Sequence, residues 1–543
     1  MLRTIATSVA LLVGLAVVGS VAGPQWDPQP LTAHVVPTTT DTTIRGAEAD
    51  DADRVGDHDV ATTRVDIELD GASVGGLLRR PVDDDGAPLT DVPGVVFVHG
   101  AGTGRAEDAF VDTATDLAGA GIATLVPDKR LDTYSLRERD YEQMADDYLR
   151  SVDLLRATPG VDPRRVGVYA ESEGTWIAPV MQVDDPRVAF TVLVSAPVVP
   201  PREQAAFAVD NYLRNTDVPD QVFRAIPRAV GMQFPGGGFG YADFDVRPWL
   251  ERQSAPVLVV YGTADPSMPV EQGARLIIAD VGLSPARAPV TVRYYGGANH
   301  GIRVPPQGSE GSDPAAVPPL HPDLSRDLAA WVHGLPGSAT AEPVVAGATP
   351  EQLYLAAPVP QPRWWGNGDV VVAAVVAGGG LVLVGLLTGA VGAFVRRLRR
   401  RGARGSARTA RAPAGPLPDG PSPAGPERAT GLALALLGIG SVVTVVVLAA
   451  YLVAVARLAM DYERDALIVQ GGWIAVRLLG VAAVVGAALL VGRLRQVRQG
   501  RKEGHDVALA RGGVAHVTLW CVVVGSTSLL LTLAYWGVYQ LGI

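Results

Sequence analysis

The most constraining feature of this 543-residue chain is a set of four long apolar runs, all in its last third. A run of about 20 apolar residues can cross a bilayer as a helix, and a helix satisfies its own backbone hydrogen bonds there. We therefore predict a membrane domain over 370–543, preceded by a large soluble domain. The predicted membrane helices cover 370–395, 432–455, 468–491 and 514–539.

The N-terminal segment 1–23 has the pattern of an export signal. Arg3 precedes an apolar run that ends in small residues up to Ala22, so the segment is either a signal peptide cleaved after Ala22 or an uncleaved signal anchor. The Thr-, Asp- and Pro-rich stretch 24–61 is expected to be a flexible spacer. A Pro/Ala-rich linker is expected over 335–369.

Charges flanking the apolar runs predict the orientation of the chain. Arg-rich loops at 396–411 and 493–511 favour the cytoplasm, whereas the acidic loop 460–465 favours the outside. Together with Arg3, these loops predict a multi-pass cell-membrane protein whose soluble domain is extracytoplasmic. The basic segment could also bind anionic lipid, although its role as an orientation signal is sufficient to explain it.

Composition argues against certain classes of partner and of catalytic group. The net charge of −10 persists despite the basic loops, so the soluble part is acidic, which argues against a nucleic-acid partner. The single cysteine, Cys521, lies in the last apolar run and excludes an intramolecular disulfide and a cysteine nucleophile in the soluble part. Arg477 lies inside the third run, where it is either functional or reaches toward the outer interface.

Strand patterns alternate with helical patterns between residues 62 and 334. The continuous apolar run 94–98 is typical of a strand buried on both faces of a parallel sheet. Residues 290–295 also have a strand pattern. The alternation predicts an α/β domain, with a mostly parallel sheet flanked by helices. Residues 197–250 interrupt this pattern as an irregular, aromatic-containing insertion.

The segment 166–179 predicts a catalytic nucleophile. A short apolar strand runs into Ala170-Glu171-Ser172-Glu173-Gly174, with small residues two positions before and after the serine. A sharp strand-to-helix turn needs small neighbours because its backbone is strained. Such a turn presents the hydroxyl of Ser172 at the top of the sheet, with a helix N-terminus below it.

The remaining catalytic groups follow in chain order. A serine hydroxyl needs a base to take its proton, and that base needs a carboxylate to orient it. Asp265 follows one apolar strand and His300 follows the last one, which is the expected order of serine, acid and histidine. Two backbone donors are needed for the oxyanion, and we predict the amides of Glu173 and Ala101.

These motifs resemble the α/β-hydrolase superfamily, and within it bacterial esterases of the dienelactone-hydrolase and serine-peptidase-like branch. The resemblance covers roughly Thr62 to Gly334. It implies a Ser-His-Asp hydrolase without a metal or organic cofactor, an insertion at 197–250 that caps the site, and site-shaping roles for His99, Gly100, Gly102, Glu171 and Gly174. It rests on Phe97-Val98-His99-Gly100-Ala101-Gly102, Asp128-Lys129-Arg130, Ala170-x-Ser172-x-Gly174, Gly262-x-x-Asp265 and Asn299-His300-Gly301.

Two features depart from the usual family pattern. Ala170 stands where a glycine is common, and Glu171 and Glu173 flank the nucleophile with two carboxylates. If these carboxylates point inward, they raise the pKa of the histidine and disfavour anionic substrates. The preferred interpretation is that both point to solvent or to a salt bridge in the cap.

The leading hypothesis is a membrane-tethered serine hydrolase that cleaves an ester or thioester of a small-molecule or lipid-like acyl substrate. A peptidase or an acyltransferase would use the same triad. A third possibility is a sensor or assembly protein whose hydrolase domain only binds, and a fourth is a transport unit formed by the helices. Few charges lie inside the apolar runs, which favours anchoring over transport. The sequence does not identify protein partners.

Overall fold

The computed structural model describes residues 2–45, 53–102, 104–305, 317–340, 342–360, 363–409 and 428–540. The chain divides into two compact units. One consists of Pro28–Asn211 and Gly237–Val359 and is here called the sheet unit. The other, here called the helical unit, consists of Met1–Asp27, Tyr212–Gly236 and Pro360–Ile543.

Strands and helices alternate through the sheet unit. The strands are β1 (Asp59–Leu69), β2 (Ala72–Val82), β3 (Val92–Val98), β4 (Ala123–Pro127), β5 (Val161–Glu171), β6 (Thr191–Val194), β7 (Val257–Gly262), β8 (Val290–Tyr295) and β9 (Val345–Gly347). The α-helices among the described residues are α1 (Leu2–Ala22), α2 (Val111–Gly119), α3 (Tyr141–Arg156), α4 (Gly174–Asp184), α5 (Pro201–Leu213), α6 (Asp220–Val230), α7 (Arg247–Leu250), α8 (Val270–Leu283), α9 (Leu324–His333), α10 (Gly368–Thr409), α11 (Arg428–Met460), α12 (Gly472–Lys502) and α13 (Gly513–Tyr535).

The sheet has nine strands in the order β1-β2-β4-β3-β5-β6-β7-β8-β9. Strand β2 pairs antiparallel with β1 and β4, and the strands from β4 onward in this order are parallel. This mostly parallel sheet with flanking helices confirms the predicted α/β-hydrolase fold. Because parallel strands point the same way, the loops after β3, β5, β7 and β8 all leave from one edge of the sheet.

The central strands are continuous apolar runs because both faces of the sheet are covered. Along β3, Val96 and Val98 belong to one buried cluster, whereas Val95 and Phe97 belong to a second cluster on the opposite face. Neighbouring side chains on a strand point to opposite faces, so each face needs its own apolar set. The register Val98↔Ala170 aligns the ends of β3 and β5, where the site lies.

The stretch predicted to be a flexible spacer and the stretch predicted to be a linker are both partly built into the sheet unit. Leu31 and Ile44 of the predicted spacer are buried, and the buried guanidinium of Arg293 donates to the Thr42 carbonyl (2.8 Å). Strand β9, from the predicted linker, pairs with β8. Thr42 and Arg293 are 251 residues apart in the chain, and α9 lies between β8 and β9, so local composition could not reveal these contacts. Part of the spacer, 46–52, lies outside the described residues.

The insertion 197–250 is divided between the two units. Its residues 212–236, which include α6, belong to the helical unit, and its remainder belongs to the sheet unit. Within the helical unit, the ring of Phe234 lies where a Cβ on Gly368 would be, and the Gly236 amide donates to Asp369 (2.6 Å). The segment therefore packs with the start of α10.

Five helices of the described chain are long and apolar enough to cross a membrane: Leu2–Ala22, Gly368–Arg399, Ala429–Met460, Leu467–Lys502 and Gly513–Tyr535. The last four correspond to the predicted spans, although α13 ends at Tyr535 rather than at residue 539. Small residues bring α10 and α13 together, because a Cβ on Gly525 would lie 2.5 Å from the Gly378 carbonyl. Gly19 of α1 likewise faces the Ala534 carbonyl of α13.

Candidate active site

Ser172 lies on a strained turn between β5 and α4. Its φ of 54° is in the left-handed region, which a non-glycine residue adopts only when its surroundings hold it there. Its carbonyl accepts hydrogen bonds from the Thr175 amide (3.0 Å) and hydroxyl (2.6 Å), and its amide donates to the Val194 carbonyl (2.9 Å). The side chain is half-buried, so the predicted nucleophile is both rigidly held and accessible.

Two glycines allow the loop after β3 to approach this turn. A Cβ on Gly174 would lie 2.6 Å from the Val98 carbonyl oxygen, which is too close for any side chain. A Cβ on Gly100 would lie 3.2 Å from both the Glu171 carbonyl oxygen and the Ser172 Cβ. The small residues of the sequence motif therefore mark a close approach between the His99–Gly102 loop and the nucleophile.

His300 and Asp265 are in direct contact at the same edge of the sheet. The distance from His300 Nδ1 to Asp265 Oδ2 is 2.8 Å, with the carboxylate fully buried and the imidazole 33% exposed. A carboxylate can only accept, so Nδ1 carries the proton and Nε2 is left as the basic nitrogen. Ser172 Oγ makes no hydrogen bond within the described part of the chain, and catalytic hydrogen bonds often tighten only with substrate bound.

Polar contacts fix both partners of this pair. Ser267 donates to Asp265 Oδ1 through its amide (2.9 Å) and its hydroxyl (2.7 Å). The Ser195 hydroxyl donates to the His300 carbonyl (2.7 Å). The Asn299 side chain accepts from the amides of Gly301 (3.1 Å) and Arg303 (3.0 Å) and so shapes the turn that carries the histidine.

The electrostatics of the pair favour a protonated imidazole. Burial lowers the pKa of His300, but the charge and hydrogen bond of Asp265, together with the charge of Glu171, outweigh it and raise this pKa from 6.5 to about 9. For Asp265, burial raises the pKa, but the contacts with His300 and Ser267 hold it below its ordinary value. This arrangement stabilises the imidazolium that forms when the histidine accepts a proton.

The two glutamates beside Ser172 have different environments. Glu171 is half-buried; burial raises its pKa, and the charges of His300 and Arg303 oppose the rise. Glu173 is buried in ion pairs with Lys129 (2.7 Å) and Arg139, which come from the segment after β4 and not from the insertion. Glu173 therefore points neither to solvent nor to a salt bridge in the insertion.

His99 has a structural role among the predicted site-shaping residues. Its Nε2 lies 2.6 Å from the Pro127 carbonyl, and its amide donates to the Tyr148 hydroxyl (3.2 Å). Burial lowers its pKa to about 4, so it stays neutral and ties the end of β3 to the end of β4. Ala101 and Gly102 follow on the exposed surface, and Gly102 has a φ of 81°.

Sequence patterns alone missed several site residues. Ser267 and Ser195 each follow a strand end by only a few residues, but serine is too common in loops for that position to indicate a role. In the sequence, Lys129 stands out only as part of the motif Asp128-Lys129-Arg130. Its pairing with the buried Glu173 carboxylate is visible only in the folded chain. Within the described residues, no group of three or more His, Cys, Asp or Glu side chains could hold a metal ion.

We expect a reaction that uses His300 as its base to speed up with pH until His300 loses its proton near pH 9, because only the neutral imidazole can act as a base. Glu171→Gln removes a nearby negative charge and should move this inflection to lower pH by up to about one unit. The measurement is kcat/KM against pH, with Glu142→Gln on the exposed face of α3 as control. An unchanged inflection in Glu171→Gln would contradict the assigned electrostatics.

Comparisons with known proteins give similarity only at the level of structure. No protein-family model and no curated protein sequence matches the chain. The chain is similar to a putative dienelactone hydrolase from Klebsiella pneumoniae (16% identity, TM-score 0.34), covering 52% of this chain and 99% of that one. It is also similar to a dienelactone hydrolase from Anabaena variabilis (17% identity, TM-score 0.29), covering 45% and 89% respectively.

A third similar structure is a putative dipeptidyl aminopeptidase IV from Bacteroides ovatus (16% identity, TM-score 0.33). The match covers 44% of this chain and 33% of that protein, so this chain spans only about a third of that protein's length. At these identities and scores, the fold assignment rests on the strand order and register of the sheet.

Proposed function

We propose that this chain is a membrane-anchored, extracytoplasmic serine hydrolase that cleaves carboxylic esters or thioesters. The observation that carries the proposal is the 2.8 Å contact between His300 Nδ1 and the buried Asp265, at the edge of the sheet where Ser172 occupies its strained turn. A contacting carboxylate and imidazole whose pKa values are both shifted, at the edge of a sheet, are characteristic of a functional site. Acyl transfer through a serine is the chemistry that uses this pair.

The proposed reaction has two halves. Ser172 Oγ attacks the acyl carbon while His300 Nε2 takes its proton, and the amides of Ala101 and Glu173 hold the oxyanion. His300 then gives the proton to the leaving alcohol or thiol, and an acyl-enzyme remains on Ser172. Water, deprotonated by the same imidazole, attacks the acyl-enzyme and releases the acid. Asp265 keeps Nδ1 protonated throughout and balances the imidazolium charge.

The proposed location rests on charge. The Arg-rich segments 396–411 and 493–511 favour the cytoplasmic side, and the acidic segment 460–465 favours the outside. This pattern supports a hydrolase domain outside the membrane. Arg477 donates to the Gln540 carbonyl (2.7 Å), at the chain end beyond α13. This contact supports the interpretation that Arg477 reaches toward the outer interface, as an arginine near the end of a membrane helix does. We therefore propose anchoring, rather than transport, for the membrane helices.

The test of the proposal uses the full chain purified in detergent. We expect a fluorophosphonate probe to label it at the peptide that contains Ser172, and p-nitrophenyl esters to be hydrolysed. Mass spectrometry of the labelled peptide identifies the site. Folded protein that neither labels nor hydrolyses would refute the enzyme proposal and favour a binding-only sensor or assembly role.

Product analysis separates the reaction types that share this triad. With a competing alcohol or amine in the assay, a hydrolase forms mainly free acid, whereas an acyltransferase forms the new ester or amide. Cleavage of peptide amides in preference to esters and thioesters would replace the ester proposal with a peptidase. We expect free acid from ester and thioester substrates.

A further inference from the structure

A fully buried ion pair lies directly behind the predicted nucleophile. Lys129 Nζ and Glu173 Oε2 are 2.7 Å apart, and each side chain is only 1% exposed. Glu173 also accepts hydrogen bonds from the hydroxyls of Tyr134 (2.9 Å) and Tyr141 (3.3 Å) and pairs with Arg139. The carboxylate is thus held by four groups, and its position is tightly defined.

Lys129 makes a second contact that links this pair to the oxyanion loop. Its ammonium donates to the Gly100 carbonyl (3.1 Å). The Gly100 carbonyl and the Ala101 N–H belong to the same peptide group, so a donor fixed at the oxygen also fixes the direction of the N–H. A charged donor at the oxygen polarises the peptide, which makes its N–H a stronger donor.

The partner of Lys129 carries the other proposed oxyanion donor. Glu173 is the residue after the nucleophile, and its amide is the second N–H of the proposed oxyanion hole. One ion pair therefore connects both donors: the Glu173 side chain holds Lys129, and Lys129 holds the peptide that bears the Ala101 N–H. The ring of Tyr134, 3.8 Å from Nζ, closes a third side of the ammonium.

We propose that Lys129 is a positioning residue for the oxyanion hole, acting on the Gly100–Ala101 peptide and held in place by Glu173. The inference rests on the proposed hydrolase function. In this proposal, the buried Glu173 side chain has a specific role, which is to hold Lys129 against the Gly100 carbonyl. Buried ion pairs are often no more stabilising than apolar replacements, so a positioning role explains this pair better than stability does.

The chain offers a matched control for this proposal. Arg139 pairs with the same carboxylate as Lys129, and the contacts described for it are with Glu173, the Ser135 carbonyl and the rings of Tyr134 and Tyr241. Lys129→Met removes the link between Glu173 and the Gly100 peptide, whereas Arg139→Gln weakens the cluster and leaves that link in place. Both changes should lower the melting temperature.

Lys129→Met and Arg139→Gln should differ in kcat. For Lys129→Met, we expect kcat on p-nitrophenyl acetate to fall about 100-fold, the effect of losing one oxyanion donor, with KM within about threefold because the interaction acts on the transition state. An aryl trifluoromethyl ketone, which forms a hemiketal oxyanion with Ser172, should lose affinity in parallel. Arg139→Gln should keep kcat within about threefold, and Lys129→Arg should recover part of the loss.

Each outcome decides the inference. Equal losses of kcat in Lys129→Met and Arg139→Gln, or unchanged inhibitor affinity in Lys129→Met, would overturn it and leave a structural cluster. If Lys129→Met does not fold, Glu173→Gln replaces it, because this change keeps the amide but removes the counterion; an unchanged kcat there would also overturn it. A wild-type chain without hydrolysis or labelling would instead refute the proposed function, and the inference with it.

Discussion

Ser172→Ala should reduce ester hydrolysis to the background rate, a loss of about 10⁶-fold in kcat if Ser172 is the nucleophile. The alanine removes the only atom that forms the acyl-enzyme, while the turn around it keeps its backbone hydrogen bonds to Val194 and Thr175. The fold should therefore persist. The measurement combines ester turnover with intact-mass detection of the fluorophosphonate adduct, which should be absent from the variant.

Ser325→Ala is the matched control for that experiment. Ser325 lies at the start of α9, and its hydroxyl donates to Asp116 of α2 (2.6 Å). Like Ser172→Ala, this change deletes a partly buried hydroxyl. We expect normal labelling and turnover from this variant. Adduct formation or turnover at the wild-type level in Ser172→Ala would show that another residue is the nucleophile and that the triad assignment is wrong.

Asp265→Asn should lower kcat about 10⁴-fold. The amide is the same size as the carboxylate, but it presents a donor to His300 Nδ1 and favours the tautomer whose Nε2 already carries a proton. In that tautomer, His300 Nε2 cannot accept the proton of Ser172. Removing the negative charge also lowers the pKa of His300, so the residual activity should show its inflection well below pH 9.

Ser267→Ala provides a graded comparison for the acid. Its hydroxyl donates to Asp265 Oδ1, the oxygen that does not bind His300. Losing one such hydrogen bond should cost about five- to tenfold in kcat. Measuring kcat of the wild type, Asp265→Asn and Ser267→Ala over the same pH range separates the loss of orientation of the acid from the loss of its charge. An Asp265→Asn activity equal to that of Ser267→Ala would mean that Asp265 is not the acid of the triad.

Much of the fold was predictable because its signals are local. Continuous apolar runs mark strands covered on both faces, and β3 does bury Val95 and Phe97 on one face and Val96 and Val98 on the other. The lengths of the C-terminal apolar runs likewise predicted their helices. Small residues around Ser172 predicted the strained turn, and φ at Ser172 and the close approach of Gly174 agree with it.

Other features depended on contacts across long stretches of sequence. The Thr42 carbonyl meets Arg293, and β9 pairs with β8, although both segments have the composition of flexible linkers. Residues 212–236 look like part of a cap insertion, but they pack with the helical unit. Composition describes how a segment behaves alone, whereas these segments are ordered by partners that only the folded chain brings near.

The sequence alone determined the order of the elements, the candidate nucleophile, the aspartate and the histidine, because a strained turn and strand-end positions leave local marks. Only the tertiary structure decided the environment of the two glutamates beside Ser172. Glu171 acts on the charge of His300, and Glu173 is enclosed by Lys129, Arg139 and two tyrosines. Both residues carry the same side chain, and their difference arises because the folded chain surrounds each with different groups.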